Sequence, residues 1–324
     1  MILNILLIIA GLALVVIGAE LLVGGASSVA RKAGISEFVI GLTIVAIGTS
    51  APEMVVSFMG AIRGNADISI GNVFGSNIFN TLLILGISAL LMPIPITKNN
   101  LKADIPMNII ATVLVLLLGL NATVFHTGSD VMTRTDGMIL LAVFILYMIY
   151  SFKAGRKGGA GNEEAEGSED EKNYSTPVSI LLIIIGLGAL VFGGQLFVDS
   201  ATDVAHSLGI SDKFIAITIL AGGTSMPELA TCIVAAVKKK GQMALGNILG
   251  SNVFNLLLIL GGSATISNLS FASIDYADVT VLLLSSVIVL TSAYVAKKDR
   301  IDRVDGTIML LCEAAYMAWL FIKL

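Results

Sequence analysis

Apolar residues along this chain gather into ten runs, each about as long as a helix needs to cross a bilayer. They lie at 2–23, 37–62, 68–92, 104–122, 133–152, 178–198, 212–237, 243–266, 277–296 and 305–322. Polar residues collect in the short segments between them. The pattern predicts an all-α polytopic membrane protein with ten transmembrane helices. The first run, MILNILLIIAGLALVVIGAELLV, has neither a basic flank nor a small-residue cleavage site, so it is expected to be a membrane helix and not a removed leader.

Proline placement sharpens the spans. Pro93 and Pro95 close the third, while Pro106 and Pro177 open the fourth and sixth. Only Pro52 and Pro227 interrupt a run. Inside a helix, proline removes one hydrogen bond and displaces the carbonyl four residues earlier, here near Gly48 and Gly223. In lipid, such broken backbone persists only where protein or a hydrated cavity satisfies it.

The two interruptions belong to a duplication. GISEFVIGLTIVAIGTSAPE from Gly34 returns as GISDKFIAITILAGGTSMPE from Gly209, and GNVFGSNIFNTLLILGISA from Gly71 returns as GNILGSNVFNLLLILGGSA from Gly246. The offset is constant (209 − 34 = 175; 246 − 71 = 175). Each copy places a glutamate, Glu53 or Glu228, directly after its interrupting proline. An intramembrane carboxylate is costly and marks an ion or substrate path. Two at matching repeat positions are the pattern of a secondary transporter with a midplane site.

Composition agrees: 56% of residues are hydrophobic and 13% charged, and mean hydropathy is +0.94. No basic tract suggests nucleic acid. Cys232 and Cys312 both fall inside runs and read as small buried side chains, although Cys232 shares a helix face with Glu228. With the N-terminus outside, loops assigned alternately place fifteen basic residues in the cytoplasm and four (Arg63, Arg134, Lys213, Lys323) outside. Five spans per half then enter the membrane in opposite senses, giving two inverted five-helix repeats, 1–152 and 177–324. The cytoplasmic link, 153–176, includes GRKGGAGNEEAEGSEDEKN; it is too polar to build a core and lacks the spacing of an EF-hand.

Around each glutamate the same oxygen-bearing residues recur. Thr49 and Ser50 precede Glu53, as Thr224 and Ser225 precede Glu228; Asn72, Ser76 and Asn80 form a stripe every four residues, matched by Asn247, Ser251 and Asn255. Carboxylates, hydroxyls, amide oxygens and freed carbonyls suit an alkali or alkaline-earth cation, whereas transition metals favour imidazole or thiolate. His126 and His206 lie outside this set, in outer-side segments. Two carboxylates are balanced by one divalent or two monovalent cations, and an empty site would leave two negative charges in the membrane. That arithmetic favours antiport. The glycine pairs Gly71/Gly75 and Gly246/Gly250 read as close helix packing. Glu20 and Glu313 have no repeat partners and are expected to snorkel or to pair locally.

At these residues the chain resembles the calcium/cation antiporter superfamily, and within it the prokaryotic sodium/calcium exchangers. GTSAPE with GNVFGSNIFN, and GTSMPE with GNILGSNVFN, look like that family's two repeats, and the resemblance spans essentially the whole chain. It implies that Glu53 and Glu228 are central ligands and that the carbonyls of Thr49 and Thr224 complete a calcium site. Ser50, Ser76 and the carbonyl of Ala46 would line one sodium site; Ser225, Ser251 and the carbonyl of Ala221 would line its inverted partner. Asn80 and Asn255 would sit at the centre, and the first and sixth spans would slide across a rigid core. Several relatives, including potassium-dependent ones, carry aspartate at the position of Asn255, so two carboxylates instead of three disfavour potassium co-transport.

The expectation is a membrane antiporter, not an enzyme, exchanging Na+ for Ca2+ by alternating access and exporting calcium. It would need no cofactor beyond the transported ions and would work as a monomer in the cell (plasma or inner) membrane, with its N-terminus outside. Rival readings are a calcium/proton antiporter using the same acids, a potassium-dependent exchanger, a passive channel and an intramembrane acid hydrolase.

Overall fold

Two helices of equal length flank the molecule: α1 (Ile2–Ala33) and its counterpart 174 positions later (Thr176–Ser207), each of 32 residues. The computed structural model describes residues 2–126, 128–158, 174–208, 221–272, 274–294 and 299–323. Its other helices in the first half are α2 (Glu37–Thr49), α3 (Ala51–Ile62), α4 (Ala66–Leu91), α5 (Asn100–Gly119), α6 (Asn121–Phe125) and α7 (Arg134–Gly158). In the second half come α8 (Thr176–Ser207), α9 (Ala221–Thr224), α10 (Met226–Val237), α11 (Gly241–Ile266), α12 (Tyr276–Tyr294) and α13 (Arg303–Lys323).

Among the described residues, eight helices are long and apolar enough to cross a membrane, and the bent pair α2–α3 makes a ninth. The tenth expected span, 212–237, is described only from Ala221, so its first half lies outside the described residues. Three boundaries differ from expectation. The first and sixth helices run past 23 and 198 to Ala33 and Ser207, and the fifth continues to Gly158, into the segment expected to be link. Hydropathy stops at the first polar residues, but Ser27 and Ser28 of α1 are buried against protein, so the helix does not end where lipid contact does. At 1.5 Å per residue, α1 and α8 are each about 48 Å long, well beyond the roughly 30 Å of hydrocarbon.

α1 and α8 lie antiparallel in backbone contact. A Cβ on Gly18 would sit 2.8 Å from the Gly186 carbonyl, and one on Gly186 would sit 2.7 Å from that of Gly18. Gly11 faces Gly193, and Gly25 faces Ser179, so the seam repeats every seven residues. Small residues allow this approach where no hydrophobic effect drives helices together.

α11 and α4 form the centre, with 94% and 72% of their most apolar windows buried, against 22% for α1 and 17% for α13. The outer helices turn large apolar side chains outward, among them Ile9, Ile17, Leu146, Ile184 and Leu311. This is a multi-pass membrane protein. α7 closes on α11 at Gly137 and the Gly261 carbonyl; α13 closes on α4 at Gly306 and the Gly86 carbonyl.

Four two-residue strands join the loops. Ile94–Pro95 (β1) pairs with Arg300–Ile301 (β4), and Val131–Met132 (β2) with Leu269–Ser270 (β3), both antiparallel. Exchanging the repeats carries β1 onto β3 and β2 onto β4, so one pairing becomes the other. Each also joins loops that the alternating assignment puts on one face. This is the pattern of an inverted repeat.

Candidate ion-binding site

The second span breaks at Ser50, where α2 and α3 meet at a 51° bend. Ser50 leaves helical geometry (φ −81°, ψ 9°), and Pro52 lies in the first turn of α3, where its missing N–H costs nothing. The second copy repeats this at Ser225 (φ −90°, ψ 8°), between α9 and α10, with Pro227 in the first turn. Glu53 and Glu228 therefore sit in the first turns of two half-helices, whose partial positive charge favours a carboxylate. Both glutamates are buried.

The capping serines do not cap their own helices. Instead, Ser50 Oγ donates to Glu228 Oε1 at 2.9 Å, and Ser225 Oγ donates to Glu53 Oε1 at 3.1 Å. Each repeat supplies the donor for the other's carboxylate. Ser251 Oγ also donates to Glu228 Oε1 at 3.4 Å, and Ser225 Oγ lies 3.5 Å from Ser76 Oγ.

Four side-chain oxygens of the expected ligand set remain buried without a hydrogen-bond partner: Glu53 Oε2, Glu228 Oε2, Asn80 Oδ1 and Asn255 Oδ1. Buried polar atoms are nearly always paired, so each orphan needs a physical reason. All four are hard acceptors with unshared electron pairs, the donor set of Ca2+ or Na+. Among the described residues, no group of three or more His, Cys, Asp or Glu is placed to hold a metal ion. Asn80 opens a π-helical turn (Asn80–Ile84), and Asn255 lies in another (Phe254–Ile259); such turns recur at functional sites.

The structure thus brings Thr49, Ser50, Glu53 and Ser76 together with Thr224, Ser225, Glu228 and Ser251, and buries Asn80 and Asn255 with free oxygens. Ala46 is buried one helical turn before Ser50, and its carbonyl accepts from Thr49 Oγ1 at 3.4 Å and from the Ser50 amide at 3.0 Å. Ala221 opens α9. The stripe residues Asn72 and Asn247 serve as struts. Asn72 Nδ2 donates to the Glu53 carbonyl at 3.1 Å and to Ser57 Oγ at 2.9 Å. Asn247 Nδ2 donates to Cys232 Sγ at 3.2 Å, and its Oδ1 accepts from Thr49 at 3.3 Å. Cys232 occupies the repeat position of Ser57 and takes over its acceptor role.

Sequence reasoning missed three features. Asn77 and Asn252 lie off the four-residue stripe, yet Asn252 accepts from Asn80. Tyr147 donates to Asp104 at 2.9 Å and Tyr316 to Asp278 at 2.8 Å, an Asp–Tyr tie in each repeat that the 175-residue offset obscures (278 − 104 = 174; 316 − 147 = 169). Glu313 does not snorkel: it is buried, with Oε2 unpartnered.

Comparison with known proteins bears on the whole chain. The family described as sodium/calcium exchanger protein matches residues 3–153 and 178–322. The sodium/calcium exchanger MaX1 of Methanosarcina acetivorans is 33% identical, covering 98% of each chain. The inner membrane protein YrbG of Escherichia coli is 35% identical over 87% of this chain and 86% of its own. A solved structure of the sodium-calcium exchanger NCX_Mj, soaked with 10 mM Na+ and no Ca2+, superposes with a TM-score of 0.83 at 34% identity, covering 98% of both chains.

Proposed function

Because the chain belongs to the sodium/calcium exchanger protein family, we propose that it is a transporter, not an enzyme, and that it exchanges Na+ for Ca2+ by alternating access. The observation that carries this reading is the crossed pair of glutamates. Each has one oxygen held by the other repeat's serine and one buried oxygen with no partner. Two membrane-buried carboxylates demand two positive charges, which one Ca2+ or two Na+ supply, so the ions compete and the protein crosses loaded either way. The relatives named as sodium/calcium exchangers support this choice of ions.

In this reading Glu53 and Glu228 bridge the ions, and the oxygens of Thr49 and Thr224 complete calcium coordination. Ser50, Ser76 and the Ala46 carbonyl serve one sodium site, and Ser225, Ser251 and the Ala221 carbonyl serve the other. Asn80 and Asn255 close the centre. Residues 1–152 and 177–324 are the two inverted halves, joined by the cytoplasmic segment 153–176. The chain works as a monomer in the cell membrane, with its N-terminus outside, and exports calcium down the sodium gradient.

The test is isotopic calcium uptake into sodium-loaded vesicles containing the purified protein. Uptake should require an outward sodium gradient, a pH gradient without sodium should not replace it, and Glu53→Gln and Glu228→Gln should each abolish it. Equal uptake driven by protons alone would reassign the coupling ion, and undiminished exchange in both variants would remove the site.

A further inference from the structure

We propose that Asn252, which is not in the ion-ligand set above, is a positioning residue that holds the side-chain carbonyl of Asn80 toward the cation. The inference rests on the exchange reading and deepens it. An asparagine offers an acceptor oxygen at one end of its amide and two donor hydrogens at the other. Only the oxygen end can meet a cation, so an asparagine ligand requires something to occupy its NH2 group.

For Asn80 that partner is present. Its Nδ2 donates to Asn252 Oδ1 at 3.2 Å, which leaves Asn80 Oδ1 as one of the four unpartnered oxygens of the site. Asn252 is fixed in turn, because its Nδ2 donates to Thr81 Oγ1 at 2.8 Å and so commits its oxygen to Asn80. Asn77 is prepared in the same way: its Nδ2 donates to the Val73 carbonyl at 2.7 Å, leaving its oxygen free. All four asparagines are buried.

The repeat offset of 175 carries Asn77 onto Asn252 and Asn80 onto Asn255, so the counterpart of the Asn80–Asn252 bond is a bond from Asn255 to Asn77. In this structure the donor, Asn255 Nδ2, and the acceptor, Asn77 Oδ1, are both buried and both without a partner. The complement exists on both sides, but only one bond is made. Asn80 reaches into the opposite repeat for its holder, as the serines do for the glutamates. Leu256 stands where the first repeat has Thr81, so Asn77 is held within its own helix by the Val73 carbonyl and not from the opposite repeat.

The test separates positioning from folding. Half-saturating Ca2+ and Na+ concentrations, and turnover at saturating ion per folded protein, are measured for Thr81→Val, Thr81→Ser and Asn252→Ala. Thr81→Val keeps the volume and removes the hydroxyl that orients Asn252, without touching an ion ligand. It and Asn252→Ala should each raise the half-saturating concentrations roughly tenfold with turnover largely kept, the scale of one lost hydrogen bond to a charged ligand set. Thr81→Ser should match the unaltered protein. Unchanged half-saturation in Thr81→Val overturns the proposal, and it decides alone if Asn252→Ala does not fold. A fall in folded protein without a change in half-saturation also overturns it, since that is a purely structural role. If the unaltered protein shows no sodium-driven calcium uptake, the exchange reading fails first, which is a distinguishable result.

Discussion

At the scale of single residues the site is built by exchange: donors of one repeat satisfy acceptors of the other. Ser50 and Ser225 would ordinarily cap the half-helices that begin beside them. Each hydroxyl instead reaches a carboxylate across the pseudo-two-fold axis. A hydrogen bond to a charged group contributes about 1.5 kcal/mol or more, a factor of roughly ten. Ser50→Ala and Ser225→Ala should therefore each raise the half-saturating Ca2+ concentration about tenfold. The two effects should be similar, because the contacts are equivalent. Calcium-dependence curves check this; a large loss in one variant with none in the other would contradict the crossed arrangement. The glutamates, serines and threonines were legible in the sequence because the duplication displays each twice. Their crossed partnership was not, since a repeat shows which positions match and is silent on which copy a side chain faces. Asn77 and Asn252 stayed hidden for a related reason. They fall one residue after Ser76 and Ser251, off the polar stripe, and only the geometry links Asn252 to Asn80 and Thr81.

At the scale of elements, hydropathy located every described helix long enough to span but misjudged the ends of the longest and did not anticipate the short α6. α1 and α8 pass through lipid, protein and the membrane boundary, so no single solvent defines their polarity. What holds them together is backbone contact at their glycines. A methyl group at Gly18 would meet the Gly186 carbonyl and the Leu190 amide nitrogen, each at 2.8 Å, and both are backbone, which has no rotamer to yield. At Gly188, on the other face of α8, nothing lies within 4 Å. Gly18→Ala and Gly186→Ala should lower the thermal unfolding midpoint in detergent by several degrees, about 1–3 kcal/mol of overpacking, whereas Gly188→Ala should leave it unchanged. If the pair slides during transport, the same two variants should also slow calcium uptake more than their stability loss explains. The broken helices were easier to read. Pro52 and Pro227 announce them, and the structure adds that each break puts a serine at the hinge and a glutamate one turn later. The repeat glycines Gly246 and Gly250 behave as expected, packing against the backbone of α2 at Phe38 and Leu42. Among the described residues nothing lies within 4 Å of a Cβ built on Gly71 or Gly75.

For the molecule as a whole, the decisive property is that its two halves are related by inversion, and the loops carry independent marks of this. β1 belongs to the loop before α5 and pairs with β4 before α13; β2, before α7, pairs with β3 before α12. Exchange of the repeats maps Ile94↔Ile301 onto Leu269↔Met132 and Pro95↔Arg300 onto Ser270↔Val131, register included. If the copies lay parallel, β1 and its counterpart β3 would share a face. Inversion puts them on opposite faces, and the proposed orientation, which follows the basic residues, would put the β1–β4 face in the cytoplasm. The Lys240–Glu37 ion pair, 2.8 Å long with its lysine buried, ties two more segments that the same assignment puts on the cytoplasmic side. A side-specific label checks both points in intact cells. In a background with Cys232→Ser, which copies Ser57 of the other repeat, and Cys312→Ala, single cysteines replace Asn99, exposed on the helical turn that leads into α5, and Ser129, exposed in the loop before α7. A membrane-impermeant maleimide should modify Ser129→Cys from outside, and should reach Asn99→Cys only after permeabilisation. Labelling of both from one side would break the inverted arrangement, and the opposite pattern would turn the molecule over while leaving the repeat intact. The proposed site requires inversion: only then would Glu53 and Glu228, each at the break of its own span, meet at one depth with their helix N-termini converging on the same ion.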